Sequence, residues 1–305
     1  MRPYGMALWD GELTVCDSGA RAAVALDFEE QAVRAFGQRG SLRLGLPVNV
    51  AVGPGGERFV TDTKRGQVAV FDRAGRPIRA LRGGGEMKPC GVAWHDGVLF
   101  VSDLATDRIV VLNPRSGAVV RAFGGRGGAP GRFFQPTNLA VGPQGHLFVS
   151  DTLNARVQKL DQSGAVVGII GSRGGARGQM VRPKGIAVDR DGRLYVADAA
   201  TESVQLYDRE GRLLMSLGEP GVGRGQLALP AGVAVSYQGL DLFAEDVAAG
   251  FRLEYLVFVS CHLGPNKINV YGFLRPHGAR PRRSAPAVPP AATDAAPPEE
   301  EGTRP

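Results

Sequence analysis

Five aspartates, Asp17, Asp62, Asp103, Asp151 and Asp198, recur at intervals of 45, 41, 48 and 47 residues, and each ends a short apolar run. Gathered in space, such carboxylates would hold a hard divalent cation. Kept apart, one per repeat, each would accept backbone N–H groups two residues on and fix a turn. One carboxylate per repeat at a strand end is what turn chemistry requires, so a structural role is favoured and no metal is expected on them. Nor do the histidines converge: His95 and His146 fall in turns at the other end of their repeats, His277 lies in the tail and His262 stands alone. A catalytic zinc asks for three protein ligands. Asn49 and Asn138 replace Gly near the start of two repeats, where they would line a channel mouth. Two amides without a carboxylate make a poor cation site, and no serine carries a nucleophile-elbow spelling. No catalytic residue, metal or cofactor is therefore assigned.

Cations are the other chemical resource. Lys64, Arg65, Arg108 and Arg156 sit in turns between second and third apolar runs, and Arg82, Arg126, Arg173, Arg177 and Arg224 sit in loops between repeats. On one rim they would form a basic platform for phosphate or an acidic protein. The repeat aspartates share that rim and offset its charge, and several arginines belong to the repeat spelling, where they would pair with Asp or stack between repeats. A net charge of +6 with a pI of 9.5 does not by itself identify nucleic acid as a partner. Aromatics for base stacking are scarce, which ranks nucleic acid below a protein partner.

The elements that must position these residues are legible in the stretch from Gln135 to Gly171. Four short apolar runs there alternate with Gly, Pro, Asn and Asp punctuation, the pattern of four antiparallel strands joined by tight turns. A second marker follows each repeat aspartate by ten residues (Asp27, Asp72, Asn113, Asp161, Asp208), and opening prolines recur as Pro3, Pro47, Pro89, Pro136, Pro183 and Pro230. Markers in phase over six registers outrank any local reading. A four-stranded blade cannot bury its two faces alone. The expected fold is therefore all-β, a six-bladed β-propeller of four-stranded antiparallel blades spanning residues 3–275, in which radial closure leaves only short edges.

The spelling P-x-[GN]-[IVL]-A-V, then G-x-L-[FY]-V-[STA]-D, R-[IV]-x-x-[LFY]-[DN] and a closing F/I-G, clearest from Pro136 and Pro183, resembles the NHL-repeat propellers of the bacterial type. The resemblance implies six blades, but that family includes enzymes, RNA binders and adaptors, and fold does not choose among them. The run Pro265 to Gly272, PNKINVYG, resembles the last blade of bacterial extracytoplasmic NHL proteins that accompany multihaem cytochromes.

Departures from the pattern carry the remaining information. The chain reaches its first inner strand at Pro3, and the last repeat lacks a clear outer strand after Ile268 to Tyr271. The first expectation is that the authentic product starts upstream with the missing strand and an export signal, which would place it in the periplasm or outside the cell; otherwise it is cytoplasmic. The plainer alternative is a three-stranded last blade patched by Phe273 and Leu274. Between Pro230 and Cys261 lie 31 residues where other repeats take 14 or 15, so an insertion of about sixteen residues, 239–254, is expected as a short helix or extended hairpin. Long loops are often functional, and partner docking is one role for it. Residues 276–305 are Pro/Ala-rich with basic and acidic clusters, a composition expected to be disordered. Three cysteines, Cys16, Cys90 and Cys261, show no CxxC spacing. Cys16 and Cys261 occupy similar places in neighbouring first and last repeats, which leaves a disulfide open beside the commoner state of buried free thiols. No apolar run reaches 18 residues, so no membrane span is expected.

The leading expectation is a non-catalytic propeller scaffold that binds a protein partner, as an accessory of a bacterial envelope or multihaem cytochrome electron-transfer system. A lyase or lactonase-type propeller enzyme with a divergent channel site, taking a small molecule or metal, is the alternative, followed by a nucleic-acid-binding domain.

Overall fold

In each of the first five repeats the four apolar runs become a four-stranded antiparallel sheet, with strand order following the chain. The computed structural model describes residues 1–278. Inner strands start at the repeat prolines (Pro3–Trp9, Pro47–Val52, Pro89–His95, Pro136–Val141, Pro183–Val188 and Pro230–Ser236) and each packs against the inner strand of the next blade. The last of them touches both Pro183–Val188 and Pro3–Trp9, so the ring of six blades is closed.

Packing explains the apolar spelling. Second strands such as Arg58–Asp62, Leu147–Asp151 and Leu194–Asp198 are buried along their whole length because both sheet faces are covered by neighbouring blades. Outer strands such as Ala32–Phe36 are exposed except at their last residue, where Phe36 meets Phe71 of the next blade at 5.1 Å. Hydroxyls near the ends of second strands fasten one blade to the next. Thr61 donates to the Cys90 carbonyl at 2.7 Å, Ser150 to that of Lys184 at 2.7 Å, and Ser260 to that of Tyr4 at 2.6 Å, across the closing seam. Ser260→Ala is expected to cost about 1–2 kcal/mol by leaving the Tyr4 carbonyl without its donor. Urea midpoints compared with Ser216→Ala, on an exposed outer strand, would check it; equal shifts would remove the seam role.

The sixth blade departs from the others, as its sequence does. Its sheet has three strands among the described residues, Pro230–Ser236, Phe251–Cys261 and Ile268–Pro276. Phe273 and Leu274 do not patch the blade as separate elements but belong to the third strand, paired with Tyr255 and Leu253. The insertion contributes both a 3-10 helix, Asp241–Asp246, and the lengthened start of the second strand. Leu240 and Phe243 reach into the core shared by blades 6 and 1. The Arg224–Asp246 ion pair, 2.8 Å, ties the insertion to the loop that enters blade 6.

All three cysteines are buried free thiols. Cys16 faces the core shared with blade 2, beside Val50 and Val60, whereas Cys261 faces the core shared with blade 5, beside Tyr195 and Val257. Strand alternation thus turns them to opposite faces of their sheets and away from the seam between them, and no Cys16–Cys261 bridge forms. Burial raises all three thiols, Cys90 to about 11. Ellman's reagent at pH 8 is expected to label none of them in the native protein and all three in guanidinium; rapid native labelling would contradict their burial. No helix among the described residues is long and apolar enough to cross a membrane. Most of the Pro/Ala-rich tail, residues 279–305, lies outside the described residues.

Candidate functional site at the channel mouth

The second residue of each inner strand falls at the mouth of the central channel: Tyr4, Val48, Cys90, Thr137, Lys184 and Ala231 line one small cavity there. The next residue sets how closely the strands approach. A Cβ on Gly185 would stand 2.4 Å from the Gly232 Cα, and one on Gly232 would stand 2.3 Å from the Tyr4 carbonyl, so glycine at these positions lets the inner strands close on the axis. Asn49 and Asn138 occupy the same register in blades 2 and 4. Their Oδ1 atoms accept the following backbone N–H groups, from Val50 at 2.8 Å and Leu139 at 2.7 Å. Those oxygens are committed to the backbone.

The five repeat aspartates lie on this face but point into the protein. Asp17 accepts the Arg2, Gly19 and Ala20 N–H groups, Asp62 those of Gly45, Leu46 and Arg65, and Asp103 those of Lys88 and Ala105. Asp198 accepts four, from Val181, Arg182, Ala200 and Thr201. Asp151 accepts Phe134 N–H and the side chains of Asn154, Arg156 and Gln158. Each carboxylate joins the loop entering its blade to the turn after its second strand. No group of three His, Cys, Asp or Glu side chains with metal-holding geometry occurs among the described residues.

The basic residues divide into two sets. Arg156 is tied to Asp151 at 2.8 Å and to the Ala129 and Arg132 carbonyls. Arg126 lies 4.0 Å from Asp107 and stacks on Phe134, Arg173 donates to the Leu153 carbonyl, Arg82 to Gln67 and Arg224 to Asp246; Arg65 lies 3.8 Å from Asp62. Lys64, Arg108 and Arg177 are exposed, with no such partner among the described residues.

The ring of caps is broken in blade 6, where Cys261 stands in place of the aspartate. There the Leu229 N–H is served by Glu202 of blade 5 at 3.0 Å, and the Asn269 amide lies 3.6 Å from the Cys261 sulfur. Beside this position Tyr4, Arg182, Lys184 and His262, with Ala199, Leu229, Pro230 and Ala231, line a notch of about 170 Å³. The Tyr4 and His262 rings meet edge-on at 4.1 Å. The His262 Nε2 is buried without a hydrogen-bond partner. Burial, with Lys184, Arg2 and Lys267 nearby, lowers this imidazole to about 4, so it is neutral at pH 7. Burial also lowers the Lys184 ammonium, while Cys90 acts the other way and Arg182 adds to the lowering. No carboxylate among the described residues forms an ion pair with Arg182 or Lys184. Sequence reasoning missed this cluster, although Lys184 is the one charged residue at its register in the six inner strands.

The PNKINVYG run holds the neighbouring loop: Asn266 donates to the Val222 and Gly223 carbonyls, Lys267 to that of His262, and Tyr271 to that of Gly225.

No protein-family model matches the chain. No curated protein matches it either. Solved structures do. Virginiamycin B lyase from Staphylococcus aureus is 13% identical, with a TM-score of 0.61 over 91% of this chain and 85% of the lyase. A gluconolactonase from Xanthomonas campestris is 17% identical, with a TM-score of 0.64 over 90% and 86%. Hydrazine synthase of Kuenenia stuttgartiensis is 14% identical, with a TM-score of 0.60 over 89% of this chain and 96% of that one. At such identities the likeness shows the six-bladed propeller fold and nothing finer.

Proposed function

We propose that this chain is a non-catalytic propeller that presents its channel-mouth face to an acidic protein partner. One observation carries the reading: on that face the repeat aspartates point inward onto backbone N–H groups, while Lys64, Arg108 and Arg177 point outward and unpaired. The repeat residues therefore turn positive charge outward, although acid and base alternate along the sequence. Such a field steers an acidic partner and speeds its encounter. The repeat spelling favours kinship with the bacterial NHL propellers, and PNKINVYG favours an envelope or cytochrome-linked setting.

A propeller enzyme of the lyase or lactonase type is the second reading, supported by the unpartnered Nε2 of His262 at the mouth. The donor set counts against a divalent cation there, since Arg182 and Lys184 would repel it and the Asn49 and Asn138 oxygens are committed to the backbone.

The test is charge reversal at the three outward cations. Lys64→Glu, Arg108→Glu and Arg177→Glu together are expected to lower partner affinity more than about tenfold, chiefly through slower association, with thermal stability little changed. Partners captured from extracts of the source cell would be quantified against wild type and re-measured by surface plasmon resonance. Unchanged capture would refute the reading. Steeply salt-dependent binding of single-stranded RNA in place of a protein would redirect it to nucleic acid.

A further inference from the structure

We infer that the notch formed by Tyr4, Arg182, Lys184 and His262 is a binding site for a small oxyanion, a carboxylate or phosphate carried by a ligand of about six to ten non-hydrogen atoms. The inference is independent of the protein-partner reading, because the residues that carry it are different.

The first argument is charge. Lys184 is partly buried at the channel wall, Arg182 lies two residues before it, and neither is paired with a carboxylate among the described residues. An ammonium taken out of water without a counter-charge is costly, and an anion in the notch removes that cost. The second is the repeat itself. In five blades a carboxylate occupies the end of the second strand; in the sixth it is Cys261, which leaves this sector of the face without an acid of its own. The nearest carboxylates, Glu202 and Asp198 of blade 5, are turned onto the Leu229 and Arg182 backbone N–H groups and form no ion pair with the Arg182 or Lys184 side chain among the described residues.

The third argument is hydrogen bonding. The buried and unpartnered His262 Nε2 is an uncommon defect in a folded protein. With its other nitrogen bonded to the Pro3 backbone, the neutral ring keeps Nε2 as an acceptor, and a ligand hydroxyl, as on a hydroxy acid or a monohydrogen phosphate, supplies its donor when the ring turns toward the notch. The Tyr4 side chain, held edge-on against that ring, shares the same cavity. The fourth is shape. A notch of about 170 Å³ is comparable to a cavity of roughly 150 Å³ that accommodates benzene, and its remaining walls, Ala199, Leu229, Pro230 and Ala231, suit a short carbon skeleton.

The experiment follows the His262 ring by NMR at pH 7 while sodium lactate or inorganic phosphate replaces sodium chloride at constant ionic strength. A saturable shift of His262 is expected with at least one of the two probes. Response to lactate alone assigns a carboxylate ligand, response to phosphate alone assigns a phosphate, and response to both assigns a site that reads the shared oxyanion. Lys184→Met is expected to weaken the binding by more than about tenfold. Should that variant not fold, the exposed Arg182→Gln carries the same comparison. The inference is overturned if neither probe shifts His262 saturably up to about 50 mM, beyond the millimolar range of even weak specific sites, or if the Lys184 and Arg182 variants bind as wild type does. The Lys64/Arg108/Arg177 triple variant should keep the lactate or phosphate response, so failure of the partner reading and failure of this one are distinguishable.

Discussion

Glu12→Gln is expected to lower the stability of this protein by about 3–5 kcal/mol, a large part of the 5–15 kcal/mol that holds a typical domain. The reason is Arg58, whose side chain is only 1% exposed. Its guanidinium pairs with Glu12 across the blade 1–2 boundary and also donates to the Thr14 hydroxyl at 3.1 Å, the Gly56 carbonyl at 3.2 Å and the Asp72 carbonyl at 3.0 Å. Neutralising Glu12 keeps the shape but leaves a buried guanidinium without its counter-charge. Arg58→Leu should cost less, because Glu12 keeps Arg34 at 2.9 Å and because Leu occupies the matching strand position in other blades, as Leu13, Leu99, Leu147 and Leu194. The double variant Glu12→Gln/Arg58→Leu is expected to recover much of the loss, since hydrophobic replacement of a buried pair is often neutral. Guanidinium unfolding of all four proteins closes the cycle. Additivity of the two single changes within about 0.5 kcal/mol would show that the pair is not coupled.

Asp198→Ala should be nearly as damaging, by about 3–4 kcal/mol. Its carboxylate is completely buried and accepts four backbone N–H groups, two from the loop entering blade 5 and two from the turn after its second strand. Hydrogen bonds to a charged acceptor are worth about 1.5–3 kcal/mol each and do not simply add. Asn in this place keeps a single acceptor oxygen and should lose roughly half as much. The control is Asp27→Ala, which removes only the exposed bonds from Glu29 and Glu30 and should cost about 1 kcal/mol or less. Equal losses at Asp198 and Asp27 would mean that the first carboxylate caps its turn without joining the two loops. A Tm series read by circular dichroism suffices for the comparison.

The blades were legible because a four-stranded blade is specified by neighbouring residues. The turn glycines and aspartates, the period of the prolines and the apolar second strands each act over a few positions, and closure follows from the need to cover both faces of every sheet. The sixth blade was legible as a departure, since both the insertion and the absence of a clear outer strand interrupt that period. Its lengthened hairpin was not fixed by spelling, because continuing Ile268 to Tyr271 through Pro276 depends on pairing with the inserted residues Phe251 to Glu254.

Sidedness and partnership were decided by tertiary structure. The aspartates and arginines of one rim read as offsetting charges along the chain, but the fold turns the carboxylates inward to backbone N–H groups and leaves Lys64, Arg108 and Arg177 outward. Cys16 and Cys261 sit at matching places in adjacent repeats yet face away from each other, because the direction of a strand side chain is set by the register of its whole sheet. Arg58 reads as a break in an apolar pattern until Glu12, 46 positions away in the chain, is brought against it. So does Lys184, until ring closure sets it beside Tyr4 and His262 from the two ends of the chain. The sequence by itself determined the repeat, its turns and the number of blades, since those rest on local backbone chemistry. Only the closed ring decided which charges are paired and which are left unpaired, because that depends on residues that meet through space.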